Sequence, residues 1–313
     1  MNTNQLLAVW GGPGVGKTTT AVKLAMELAK HKKNVVILMC NFTVPAPQTI
    51  LPGVTTVGKS LGDLLSLPSI SQDDILSRCI PFGKSQYISL LGYKNEDNAF
   101  TYAKYSKERA IDLITLLRHI ADYVIIDCES IISFDVLSAV SLENADAVLR
   151  LCSCDLKSLS YFKSALPLLA DARYNSARHI KALSIVKPGQ DSGEYENAFG
   201  GISYSLPYVQ ELEEQLRTGQ IMDVLCTTQA EPYNATIRGI AYNVLLGIKP
   251  EAKQIKAPPN SQDVPKKRLA KDLSSRKSIS HKKSHSQHKS ELEKKSKEIL
   301  NKLGIGKGGR YDG

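Results

Sequence analysis

Residues 11–18 read Gly-Gly-Pro-Gly-Val-Gly-Lys-Thr, directly behind an apolar run of strand length at 5–10 and directly before a helical pattern that opens at Lys17. No other segment limits the possible folds as strongly, because a G-x-x-x-x-G-K-T run has a physical meaning only between a strand and a helix. In that setting the glycines let the chain curl so that successive backbone N–H groups converge on one anion. The positive end of the helix dipole adds to their pull. Gly12, Pro13, Gly14, Val15 and Gly16 are therefore the expected cradle for the phosphates of a nucleoside triphosphate. Lys17 is suited to bridge the β- and γ-phosphates, and the Thr18 hydroxyl to ligate Mg²⁺. The competing reading, a chance glycine-rich turn, leaves the eight matching positions and both flanking elements unexplained.

Behind the loop, strand-length apolar runs alternate with helical patterns as far as residue 250. Strands are expected at 5–10, 34–39, 87–91, 123–126, 147–151, 180–186 and 202–206. Helices are expected at 17–31, 60–66, 71–78, 102–120, 156–169, 208–217 and 233–247, with a long proline-bearing loop at 41–59. Such alternation predicts an α/β domain over 1–250, a mostly parallel twisted sheet with helices on both faces. Sheets of this kind take their ligands at the carboxyl ends of the strands.

The net charge of +9 suggests a nucleic-acid binder until the chain is divided. Residues 251–313 hold 17 Lys/Arg against 7 Asp/Glu, so the tail carries +10 and the body −1. This low-complexity, Lys/Ser/His-rich tail cannot bury enough apolar surface to offset its ordering entropy, and disorder is expected there. Its basic clusters suit nonspecific contact with nucleic acid or an anionic membrane surface, weakening with salt. A plain solubilising arm is the alternative. No aromatic residue interrupts 251–310, so base stacking is not on offer. The six cysteines show no C-x-x-C pair or zinc spacing, as expected of a reduced, cytoplasmic protein. Neither a signal peptide nor an apolar run of roughly 20 residues is expected, leaving at most a peripheral place at membrane or nucleoid.

A second acidic part is needed to hold the metal, and Tyr123-Val124-Ile125-Ile126-Asp127 ends a buried strand in the right manner. Asp127 is the expected metal carboxylate, alongside Thr18. Glu129, two residues on, suits either water orientation or an exposed turn.

GKTTTAVKLAMELAKHKKNVVIL, ADYVIIDCES and ISYSLPY, in this order, resemble the ParA/MinD-like ATPases over roughly residues 4–247. Branches serving pilus assembly or conjugative elements are the nearest in pattern. The resemblance implies that Gly14, Gly16, Lys17, Thr18 and Thr19 hold phosphate and Mg²⁺, that Asp127 serves the metal, and that Pro207, in a Leu206-Pro207-Tyr208 turn, lies beside the adenine. It also implies a nucleotide-dependent homodimer and a protein partner.

The departures are specific. The family's second loop lysine, which reaches the partner's nucleotide, is Gly12 here. Its water-activating aspartate after the second strand is matched by Asn41, and an amide orients water without accepting its proton. Lys187 stands where the family often has asparagine near the base. Lys17, Asn41 and Asp127 are thus the expected catalytic set, with slow or partner-stimulated ATP hydrolysis. A weakly hydrolysing nucleotide-binding scaffold is the alternative, and a small-molecule kinase or ligase a third.

Overall fold

The computed structural model describes residues 5–98 and 100–248; the basic tail, with every expectation placed on it, lies outside these residues. Eight strands form one sheet in the order β3-β4-β2-β5-β1-β6-β7-β8. They are β1 (Leu6–Gly11), β2 (Val35–Met39), β3 (Ile80–Pro81), β4 (Ile88–Gly92), β5 (Tyr123–Asp127), β6 (Ala147–Ser153), β7 (His179–Val186) and β8 (Tyr204–Pro207). All neighbours pair parallel except the two-residue β3, which runs antiparallel to β4 at one edge. Every residue of β1, β2 and β5 is buried, as unbroken Val/Ile/Leu runs require when helices cover both faces.

Ten α-helices accompany the sheet among the described residues: α1 (Lys17–Lys30), α2 (Pro47–Ile50), α3 (Leu61–Leu65), α4 (Gln72–Arg78), α5 (Lys107–Ile120), α6 (Val136–Asn144), α7 (Leu156–Ala165), α8 (Gly193–Ala198), α9 (Gln210–Thr218) and α10 (Glu231–Ile240). A π-helical turn over Ala241–Leu246 continues α10. Helix α1 packs between the sheet and α10, with Ala21, Val22, Leu24, Ala25 and Leu28 fully buried. Its Lys23 is buried as well. The Lys23 ammonium donates to Gln215 Oε1, Ile221 O and Asp223 O, each at 2.7 Å, and so ties α1 to α9 and the chain behind it. Burial lowers the Lys23 pKa to about 8.

Several features differ from the sequence expectation, the two-residue edge strand β3 among them. Helix α6 has no counterpart in it, because Ser138 and Ser141 are fully buried and the segment shows no polar stripe to reveal a period. Helices α2 and α8 are single short turns within stretches expected as loop. Helix α5 starts at Lys107, where the Ser106 hydroxyl accepts the Arg109 N–H, rather than at residue 102. Tyr102 is drawn away instead: its ring lies where a Cβ on Gly62 would stand, and its hydroxyl donates to Asp97. The Leu206-Pro207 pair is the end of strand β8, not a turn, and Pro207 pairs with Val186 on an edge strand that tolerates the missing N–H.

A candidate phosphate site at the carboxyl ends of the central strands

Strands β1 and β5 lie side by side with Val9 opposite Asp127, so the loop leaving β1 and the acid ending β5 open at the same edge of the sheet. Gly11 is required by close approach: a Cβ there would stand 2.3 Å from the Leu151 carbonyl oxygen. Gly16 caps α1 with φ of +81°, a left-handed conformation that glycine adopts without strain. The first turn of α1 has no acidic residue and no side-chain cap, so its N–H groups are available to a bound anion.

Lys17 and Thr18 converge on this mouth. The Lys17 ammonium donates to Gly12 O at 3.1 Å, Gly11 O at 3.3 Å and Ser130 Oγ at 2.6 Å. Burial lowers the Lys17 pKa, while Asp127 and Glu129 pull the other way. The Thr18 hydroxyl donates to Asp127 Oδ2 at 2.5 Å. Burial pushes the Asp127 carboxyl up to about 6, against the Thr18 hydrogen bond and the Lys17 charge. The other oxygen, Asp127 Oδ1, is buried and has no hydrogen-bond partner.

That orphaned oxygen beside a hydroxyl fits a hard divalent cation. Among the described residues no three His, Cys, Asp or Glu side chains come together as a metal cluster. One carboxylate and one hydroxyl, completed by phosphate and water, is the arrangement Mg²⁺ favours over an all-protein cage.

The loop's outer side holds two residues that sequence reasoning missed. The Tyr161 ring, from α7, lies over Gly12, at 3.4 Å from where a Cβ would stand. Its hydroxyl donates to Ser130 O at 2.5 Å. Gly12, Tyr161, Ser130 and Lys17 thus close a ring of contacts, and a long side chain at position 12 would compete with Tyr161 for space. Nothing in the helical pattern of α7 marks Tyr161 apart from its neighbours, and Ser130 has no motif of its own.

Asn41 is on the same edge but is otherwise engaged. The Cys40 N–H donates to Asp127 O at 3.0 Å, which brings the exit of β2 alongside Asp127. The Asn41 side-chain carbonyl then accepts the Val44 N–H at 2.8 Å and shapes the turn that follows.

On the far side of the loop lies a cavity of about 650 Å³, lined among others by Gly14, Thr19, Ile185, Pro207, Tyr208 and Leu212. Pro207 lines this cavity from the end of β8. Ile185 has φ of +56°, where the ladder between β7 and β8 shifts register. A β-branched residue in this region is strained, and such strain gathers at functional sites. Lys187 is exposed, with its ammonium 6.0 Å from the centre of the Tyr208 ring.

No family model matches the chain, and no curated protein matches it by sequence. Solved structures do match. A ParA family ATPase from Chlorobium tepidum superposes with a TM-score of 0.62 at 19% identity, over 76% of this chain and 98% of that one. The septum site-determining protein MinD complexed with Mg-ADP from Pyrococcus horikoshii gives 0.56 at 14% identity, over 76% and 95%. A plasmid partition protein from Borrelia burgdorferi, bound to AMPPNP, gives 0.54 at 16% identity, over 76% and 98%. The described residues thus have the fold of the ParA/MinD-like P-loop ATPases.

Proposed function

We propose that this chain is an ATP-dependent switch of the ParA/MinD kind. In this reading it holds ATP with Mg²⁺ at residues 11–18, pairs with a second copy while the γ-phosphate is present, and positions or assembles a partner. DNA, or a secretion, pilus or conjugation apparatus, is the class of partner in view. One observation carries the reading: Lys17, Thr18 and Asp127 meet at the open N-terminus of α1, with an uncompensated carboxylate oxygen among them. The Mg-ADP and AMPPNP bound by proteins of the same fold support the choice of ligand.

Each residue then has a task. The loop amides and the helix dipole hold phosphate oxygens, an arrangement worth about 0.3–2 kcal/mol from the dipole alone. Lys17 exchanges a carbonyl for phosphate, Thr18 and Asp127 hold the cation, and Pro207 and Tyr208 flank the base. Mg²⁺, when bound with nucleotide, offsets charge on the β- and γ-phosphate oxygens. Asn41 stands at the family's aspartate position, and turnover in this reading is slow or dependent on a partner. The scaffold reading, with scarcely any hydrolysis, draws on two further observations: the Asn41 carbonyl is already committed to Val44, and Tyr161 takes the space beside Gly12.

The tail, in the same proposal, gives the protein a salt-sensitive hold on an anionic surface within the cytoplasm, at the nucleoid or the membrane. Sedimentation of the full chain with ATP-Mg²⁺ and with ADP, in the presence and absence of DNA and anionic vesicles, tests the whole. Dimers with ATP alone, and surface binding that weakens steeply between low and moderate salt, are expected. A monomer with both nucleotides would sink the switch reading, and salt-insensitive binding would remove the tail's part in it.

A further inference from the structure

Glu129 has no task in the phosphate site described above, yet its carboxylate is set in place with care. The Glu129 N–H donates to Ser138 Oγ at 2.8 Å, which anchors the backbone to the start of α6. Oxygen Oε1 accepts the Ser130 N–H at 2.7 Å. Oxygen Oε2 is shielded from solvent and has no hydrogen-bond partner. Leaving a charged acceptor in that state costs about 1–3 kcal/mol or more, so a purely structural role would favour a residue without the second oxygen. The Glu129 charge acts on both Lys17 and Asp127. Its immediate neighbour Ser130 touches the Lys17 ammonium. Glu129 also lines a cavity of about 680 Å³ beyond the strand ends, walled by Phe42, Tyr93, Tyr105 and Phe134.

We propose that Glu129 orients the attacking water for ATP hydrolysis, through its unpartnered oxygen, in place of the family's aspartate at position 41. This rests on the reading that ATP is held at residues 11–18. In the step, the water oxygen forms a bond to the γ-phosphorus, and the bond from that phosphorus to the β–γ bridging oxygen breaks. The bond's electron pair leaves with ADP, while the water's proton ends on inorganic phosphate or in solvent. Glu129 accepts a hydrogen bond from the water and so aims its lone pair at phosphorus. Asn41 stays with the Val44 turn.

The experiment compares wild type, E129Q, E129A and N41D as full chains. It measures steady-state ATP turnover, affinity for a fluorescent ATP analogue with Mg²⁺, and thermal melting. E129Q keeps an acceptor for the Ser130 N–H and replaces the free oxygen by an amide. It should lose about 100-fold in turnover, the scale of one positioned acid–base group, with affinity and melting nearly unchanged. E129A should fall at least as far. E129Q turnover within threefold of wild type overturns the proposal. Equal losses of turnover and affinity in E129Q overturn it too, as does a rise above tenfold in N41D. Wild type that binds the analogue but does not turn over removes Glu129's role alone. Wild type without affinity removes the nucleotide reading itself.

Discussion

At the phosphate end of the cleft the loop is fixed by close backbone contacts and buried side chains; the other end is lined by Lys187, exposed behind β7, and by half-buried Tyr208 behind the edge strand β8. Gly11 is locked by the Leu151 carbonyl, Gly16 by its left-handed turn, and Lys17 by two loop carbonyls and Ser130. Opposite them, Ile185 lies in the irregularity of the β7–β8 ladder and Lys187 just beyond it, both exposed, and the Tyr208 hydroxyl donates to Glu213. The contrast separates two design problems. In the proposed function, gripping a triphosphate would fall to the buried central strands and their loop, and reading the base to groups that a substitution can exchange without disturbing the sheet.

The largest effect should fall at the fixed end. K17A removes a charge-assisted contact worth about 3 kcal/mol, so ATP affinity should drop about 100-fold by titration calorimetry. An unchanged affinity would mean that the backbone alone grips the phosphates.

A smaller effect concerns Asp127. Its carboxyl titrates near 6, above the ordinary range, because burial disfavours the charge. The folded chain therefore binds this proton more readily than the unfolded one. Between about 6 and 4 the group then adds stability as pH falls, while the ionised form needed for a cation is lost. The Mg²⁺-dependent part of ATP affinity should fall by up to tenfold per pH unit below 6, and the metal-free part should not follow it. Parallel loss of both parts would tie the two ends together.

The smallest effect is expected at the adjustable end. I185G releases a left-handed β-branched residue, a strain of about 1–2 kcal/mol, at the cost of some burial and chain entropy. Melting should stay within about 1 kcal/mol of wild type, while ATP affinity falls threefold to tenfold. A large loss of stability with unchanged affinity would make Ile185 a packing residue and blur the contrast.

The same contrast explains what could be read from the sequence. The phosphate loop and Asp127 belong to elements whose local pattern states their geometry: an unbroken apolar strand, glycines, then a helix. The parallel sheet followed from that alternation for the same reason. Tyr161, Ser130 and the strain at Ile185 depend on contacts across the sheet, between residues 31 and more positions apart or between neighbouring strands, which no local period encodes. Helix α6 escaped notice because its buried serines satisfy themselves within the fold: the Ser141 hydroxyl donates to Leu137 O at 2.7 Å. Asn41 follows β2 by two residues, and its engagement with Val44 depends on the turn actually formed.

Lys23 adds a consequence for exchange and release. Its three bonds join the helix that begins at the glycine-rich loop to Gln215 of α9 and to Ile221 and Asp223 behind it, and α9 also walls the cavity that reaches Pro207. Swinging that wall outward means withdrawing three oxygens from a buried ammonium together. Amide hydrogens of α9 and of α1 should therefore exchange with solvent as one cooperative unit.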